Sequence, residues 1–279
     1  MVKFQYGKAI TDSFKLIFNN LYILVPFLVV SVIGVLVTPI YFGSIGYGEE
    51  FDLSSIVANL GTILIMFTIS IILSYLAYGW TFALIGRIVK KGKADLSKEF
   101  KNAPRKGLRF FLIMLIALLL FIILTIIFVI LIAVAGLITS FLKIVGIILI
   151  FIVFIAWLVG ILVLVLSFMY VEPLIALEDF GVIKTIKLSF NHFKNNKAHS
   201  FALLAIMILF VILASSFTSA VLYLVTGSIS NEAQAEYAIK NPVEYSLISF
   251  FAGLPTLVLI VWSIVFLTIA YIRKKSQKK

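Results

Sequence analysis

Six unbroken apolar runs govern what this chain can fold into, at residues 21–42, 56–85, 110–140, 144–171, 200–226 and 246–272. A helix needs about 20 such residues to cross a hydrocarbon layer of about 30 Å. Several runs approach thirty residues, which predicts tilting or ends that project beyond the hydrocarbon. Only a short turn near Lys143 separates the third run from the fourth, so that pair is expected to form a tight transmembrane hairpin. A soluble fold of 279 residues would need a polar surface that this chain lacks. Hydrophobic residues make up 63% and charged residues 13%, with a mean hydropathy of +1.20, against about half and a quarter in an average soluble domain. The predicted fold class is therefore an all-α integral membrane protein with six transmembrane helices.

The first run reads as a retained helix and not as a cleaved leader. It follows a polar, partly charged segment, and Thr38, Pro39, Ile40, Tyr41 and Phe42 offer no small-residue cleavage site. Pro26 and Pro39 sit near its ends, where a lost backbone hydrogen bond is easiest to tolerate.

Lys and Arg set the orientation. Lys3, Lys8 and Lys15 precede the first run, and nine basic residues between Arg87 and Arg109 separate the second from the third. Lys184, Lys187, Lys194 and Lys197 precede the fifth, and Arg273, Lys274, Lys275, Lys278 and Lys279 end the chain. These are 21 of the 23 basic residues, all on one side. The other side keeps Lys143 and Lys240 with Glu49, Glu50, Asp52, Glu232, Glu236 and Glu244. The expectation is a multi-pass protein of the plasma membrane with both termini cytoplasmic. The net charge of +11 then addresses a membrane surface, with no nucleic-acid partner.

The cytoplasmic segments carry helical patterns. Phe4, Ile10, Phe14, Ile17 and Phe18 recur at helical spacing, opposed by Lys8, Asp12, Lys15 and Asn19. Ile183, Ile186, Phe190 and Phe193 repeat the stripe against Lys184, Lys187, Asn191 and Lys194. Such helices lie in the membrane interface or pack across the ends of the bundle. Lys8, Lys15, Lys184, Lys187 and Lys194 are candidate contacts for anionic headgroups. A shift of 176 positions matches Lys8 with Lys184, Ile10 with Ile186, Ser13 with Ser189, Phe14 with Phe190, and Asn19 and Asn20 with Asn195 and Asn196. A fainter third copy matches Phe100, Lys101 and Asn102 with Phe193, Lys194 and Asn195. The asparagines suit a left-handed turn from surface helix into bilayer. The predicted plan is one membrane domain of three parallel hairpin repeats, at 4–86, 94–171 and 178–272, each led by an amphipathic interfacial helix, with a basic tail at 273–279.

Residues 170–179 (YVEPLIALED), followed by Ser189, Phe190 and Lys194, carry a family likeness. The chain resembles a poorly characterised family of prokaryotic six-helix membrane proteins, and is similar to the membrane domain attached to some glycerophosphodiester phosphodiesterases. Seven residues after the last run leave no room for the hydrolase. The resemblance thus implies a scaffold and carries over no catalytic residue.

Chemistry is sparse. With no cysteine, disulfides, thiolate catalysis and cysteine-held metals are excluded. His192 and His199 alone do not suggest a metal centre, and no cofactor is expected. The glycines at 43–48 belong to an external turn, not a nucleotide loop. Glu178 and Asp179 suit the positive end of the helix that follows. No ionisable residue falls at mid-membrane. Arg87 closes the second run and Glu172 the fourth, just before Pro173, which should end that helix. They form a candidate inter-hairpin ion pair, the alternative being that each faces water. Ser70, Ser74 and Thr81 share one helical face, and Ser215, Ser216 and Ser219 another, as helix-packing faces or the lining of a polar pathway. Tyr75, Tyr78 and Trp80 suit an interfacial belt. The expected function is a non-enzymatic scaffold binding anionic lipid, or a protein partner or second copy, at the basic face. The alternative is a transporter or channel for a small uncharged or lipid-like solute, with a lipid-directed enzyme third.

Overall fold

The computed structural model describes residues 4–45, 53–227 and 231–276. Lys3, Glu49, Glu50, Asp52, Lys278 and Lys279, and the 46–48 part of the glycine segment, lie outside these residues. Among the described residues every regular element is helical. The elements are α1 (Tyr6–Phe18), a 3₁₀ turn (Leu21–Leu24), α2 (Val25–Ile45), α3 (Leu53–Lys91), α4 (Leu96–Phe100), α5 (Ala103–Phe141) and α6 (Lys143–Phe168). They continue with α7 (Val171–Leu177), α8 (Val182–Asn195), α9 (Lys197–Thr226), α10 (Asn231–Lys240) and α11 (Pro242–Ser276).

Five helical stretches are long and apolar enough to cross a membrane: Leu60–Lys91, Ala103–Phe141, Lys143–Leu177, Lys197–Thr226 and Pro242–Ser276. A sixth arises if α1 and the helix after it count as one span, but the two are bent by 88°. These lengths and compositions make the molecule an all-α protein of multi-pass membrane type. The glycines expected in an external turn partly continue the helix, since α2 runs through Ile45.

The core lies at one end of the bundle, the end that carries most of the basic residues. Buried side chains crowd the last turns of α3 (Ala77 to Ile88), the first turns of α5, all but the second residue of α7, the start of α9 and the later half of α11. Beyond this base the helices lie open: in the apolar windows of α5 and α6 no residue is buried. Two aromatic groups fill the base. Tyr78 packs on Phe27 and Phe110, and Trp262 on Phe14, Phe210 and Phe266. Tyr75 meets Phe110 and Phe111, while Trp80 donates its Nε1–H to the Leu96 carbonyl at 3.1 Å. All three rings expected in an interfacial belt therefore make internal contacts.

Missing side chains set the closest approaches. A Cβ at Gly79 would strike the backbone of Ala103 and Gly107, one at Gly107 the Tyr75 carbonyl, and one at Gly86 the Ala176 carbonyl. Glycine thus lets α3 touch the backbones of α5 and α7, as small residues do in membrane bundles. Gly92 and Gly227 serve differently. Their φ values of 77° and 70° end α3 and α9 in the left-handed conformation that glycine takes without strain. The expected tight hairpin is present, α5 passing to α6 through Leu142 alone.

Pro173 does not end the fourth apolar helix. α6 stops at Phe168, and Pro173 falls in the first turn of α7. There the N–H it lacks would have had no intrahelical partner.

Candidate functional site

The basic end is built around the carboxyl end of α7. A helix leaves its last carbonyls unpaired and partly negative, and cations there are stabilising. Three side chains from other helices fill this role. Lys90 Nζ donates to the Leu177 carbonyl, and Lys106 Nζ to those of Ile175 and Ala176. Arg109 reaches the Glu178 carbonyl at 3.4 Å and Oδ1 of Asp179 at 2.5 Å. Arg109 is buried, and Arg105 holds the other oxygen of Asp179 at 2.7 Å. The hydrogen bond from Arg109, with the charges of Arg105 and Lys106, keeps the Asp179 carboxyl below the usual aspartate range. Lys275 lies 3.5 Å from Glu178. Glu178 and Asp179 precede α8, which begins only at Val182, so ion pairs occupy them and not a helix dipole.

A cavity of about 430 Å³ opens beside this junction, walled by Ala83, Gly86, Asn102 and Ala176 and by charges of both signs. Arg87 is at its rim, paired with Glu99 at 3.5 Å. The expected Arg87–Glu172 pair does not form. Asn102 also donates to Glu99, so α4 and the start of α5 take the guanidinium's partner. Glu172 is largely enclosed, its Oε2 sealed from solvent and without a hydrogen-bond partner.

The surface helices place their charges outward. Lys8 and Lys15 on α1 and Lys184, Lys187 and Lys194 on α8 are all exposed, with Lys184 Nζ 4.3 Å above the Phe180 ring. Of the predicted stripes Ile17 and Phe193 are buried, and Phe4, Ile10, Phe14 and Ile186 pack partly buried against the core. α1 buries Ala9, Ser13 and Ile17, and α8 buries Thr185, Ser189 and Phe193. Phe18, Ile183 and Phe190 face outward beside the lysines. Small residues win the inner positions because the helices pack closely: Ser189 donates to the Ser167 carbonyl at 2.6 Å. The histidines serve packing. His199 Nδ1 lies 3.0 Å from the Tyr6 hydroxyl, and the His192 ring packs between Tyr170 and Tyr271.

The serine faces do not form one path. Ser70 and Ser74 line a cavity of about 380 Å³ between α2 and α3, whereas Thr81 is fully buried in the base. Ser215, Ser216 and Ser219 are exposed on α9, while Thr218 makes the contact to the Ala252 carbonyl at 3.0 Å. Sequence reasoning missed the cations that cap α7, and the pairing of Arg87 with Glu99. A usable signal was the three-residue spacing of Lys106 and Arg109, which puts both on one helical face.

Comparison with protein-family models, curated proteins and solved structures finds no match to this chain.

Proposed function

We propose that this chain is a non-enzymatic plasma-membrane scaffold of six spans, both termini cytoplasmic, that gathers anionic lipid at its basic end. A protein partner or a second copy docking on the same face belongs to this reading. One observation carries it: five exposed lysines on α1 and α8 stand beside outward Phe18, Ile183 and Phe190. Apolar rings in the acyl boundary with lysines at headgroup level are how an interfacial helix holds a membrane surface. Each lysine contributes about 1 kcal/mol toward an anionic leaflet.

The three-repeat plan is supported by equivalent burial. Positions 9, 13 and 17 of α1 match 185, 189 and 193 of α8 after the 176-residue shift. The middle unit departs, since α4 has five residues. The right angle between α1 and the next helix suits a surface helix leading into a span.

Native mass spectrometry from nanodiscs of mixed zwitterionic and anionic lipid tests the reading. Replacing Lys8, Lys15, Lys184, Lys187 and Lys194 together with glutamine is expected to strip most retained anionic lipid. Unchanged retention overturns the lipid reading. Topology follows from single cysteines, since the chain has none of its own. A thiol at Lys8 or Lys274 is expected to label only from the cytoplasmic side.

A passage for a small uncharged or lipid-like solute is the second reading. It is favoured by cavities of about 380 and 250 Å³ that share Gly34, the second lined by Ser31, Ser246 and Ser249. Cysteines at Ser74 and Ser249 that both react with a water-soluble thiol reagent would favour it.

A further inference from the structure

Glu172 is the charged side chain that the basic junction leaves unused. It forms no ion pair among the described residues, and its Oε2 is sealed without a hydrogen-bond partner. Cations are abundant on the neighbouring elements, and those at the junction hold other acceptors, while Lys184, Lys187 and Lys194 of α8 are exposed. On α3, Arg87 holds Glu99 and Lys90 holds the Leu177 carbonyl. On α5, Lys106 holds the carbonyls of Ile175 and Ala176, and Arg109 holds Asp179. On α11, Lys275 faces Glu178, and on α8 the His192 ring packs against Tyr170 and Tyr271. Tyr78 of α3 is a neighbouring titratable group.

Glu172 also lies close to the basic-end cavity without lining it. It is four residues before Ala176, hence on the same face of α7 and one turn, roughly 6 Å, away. Ala176 forms part of the wall of the 430 Å³ cavity, with Ala83 and Gly86. An ionised carboxylate enclosed without a counter-charge is strongly disfavoured. Bound Mg²⁺ or Ca²⁺ would need several more oxygen ligands than this surrounding offers. A proton needs only the carboxylate.

We propose that Glu172 is a proton-binding site, one helical turn from the basic-end cavity, which takes a proton from cavity water to become the neutral carboxylic acid. The assignment is independent of lipid binding at α1 and α8.

Infrared difference titration of the full-length protein in nanodiscs tests it. The expected result is a protonated-carboxyl C=O band at neutral pH that disappears on alkalinisation and is absent from Glu172→Gln. In protein carrying ¹³C-glutamate the band should shift, and Glu172→Asp, with unlabelled aspartate, should abolish that isotope shift. The second comparison stands even where the glutamine variant fails to fold. A titration identical in wild type and both variants overturns the proposal. Loss of the band on adding sodium chloride at fixed pH also overturns it, in favour of a sodium site.

Discussion

Asn20 and Asn196 hold the same backbone conformation 176 positions apart, with φ −142° and ψ 55° at one and φ −141° and ψ 41° at the other. Each turns its side-chain amide back to the carbonyl four residues earlier, Leu16 at 2.8 Å and His192 at 2.9 Å. Each also donates its backbone N–H three residues back, to Ile17 and Phe193. The elbow that joins α1 to the helix after it and α8 to α9 is thus built twice. No non-glycine residue among those described has positive φ, so the asparagines act by capping and not by the left-handed turn expected of them.

This mechanism predicts the response to substitution. Asn196→Ala should cost about 1 kcal/mol, the value of one net hydrogen bond, and Asn20→Ala about 1–2 kcal/mol, since its side chain also accepts from the Tyr22 hydroxyl. Glycine should do no better than alanine, because no positive φ needs relief. Denaturation midpoints in detergent check both, and rescue by glycine would restore the left-handed account.

Alanine at the contact glycines should reverse the usual sign of a helical Gly→Ala change. In an open helix this substitution gains up to about 1 kcal/mol. Gly86→Ala drives a methyl into the Ala176 carbonyl, and Gly107→Ala into that of Tyr75. Each should cost about 1–3 kcal/mol through forced backbone shifts. Gly136, with nothing near its missing Cβ, is the control and should be neutral or better.

Charge reversal separates the two partners considered for Arg87. The Arg87/Glu99 double reversal should recover stability lost in the single ones, by less than about 1 kcal/mol because Arg87 is half exposed. The Arg87/Glu172 double reversal should recover nothing.

Asp179 sets an acid limb on stability. Its folded carboxyl lies below the ordinary value of about 3.9. Its contribution is therefore complete above that value and is lost as pH falls through the lower, folded one. Asp179→Asn should flatten this limb and lower the midpoint at neutral pH, since buried Arg109 then loses its carboxylate. The neutral-pH cost is on the order of 1 kcal/mol, given the exposure of Asp179. Urea or thermal midpoints across the acid range supply the measurement.

What could be read from the sequence divides by range. The long apolar helices were legible because each declares itself within its own residues: α9 starts three positions before its run, α5 seven before, and α6 ends three short. Asn20 and Asn196 were legible as elbow residues, but their mechanism depends on backbone angles that residue type does not specify. The faces of α1 and α8 were only half legible, because hydrophobic periodicity marks an apolar stripe without deciding whether the bundle or the membrane meets it. Phe18 and Ile183 face outward, while Ser13 and Ser189 permit close packing. The contacts at the α7 terminus were illegible for another reason. They bring Lys90, Lys106 and Arg109 against residues 175–179 over some seventy or more positions of chain, and one sequence without partners cannot specify which basic residue arrives.

Gathering the packed contacts at one end also gives the molecule leverage. α5 continues from Ile113, the last buried residue of its base, to Phe141, a reach of about 42 Å at 1.5 Å per residue. Tilting such a rod by about 5° at its foot carries the tip ~4 Å, close to the width of a methylene chain. A displacement small enough to fit within the side-chain play at the foot would therefore be amplified several-fold at the far end. The bonds among α3, α5 and α7 act as the fulcrum, and the two helices joined at Leu142 as the arm.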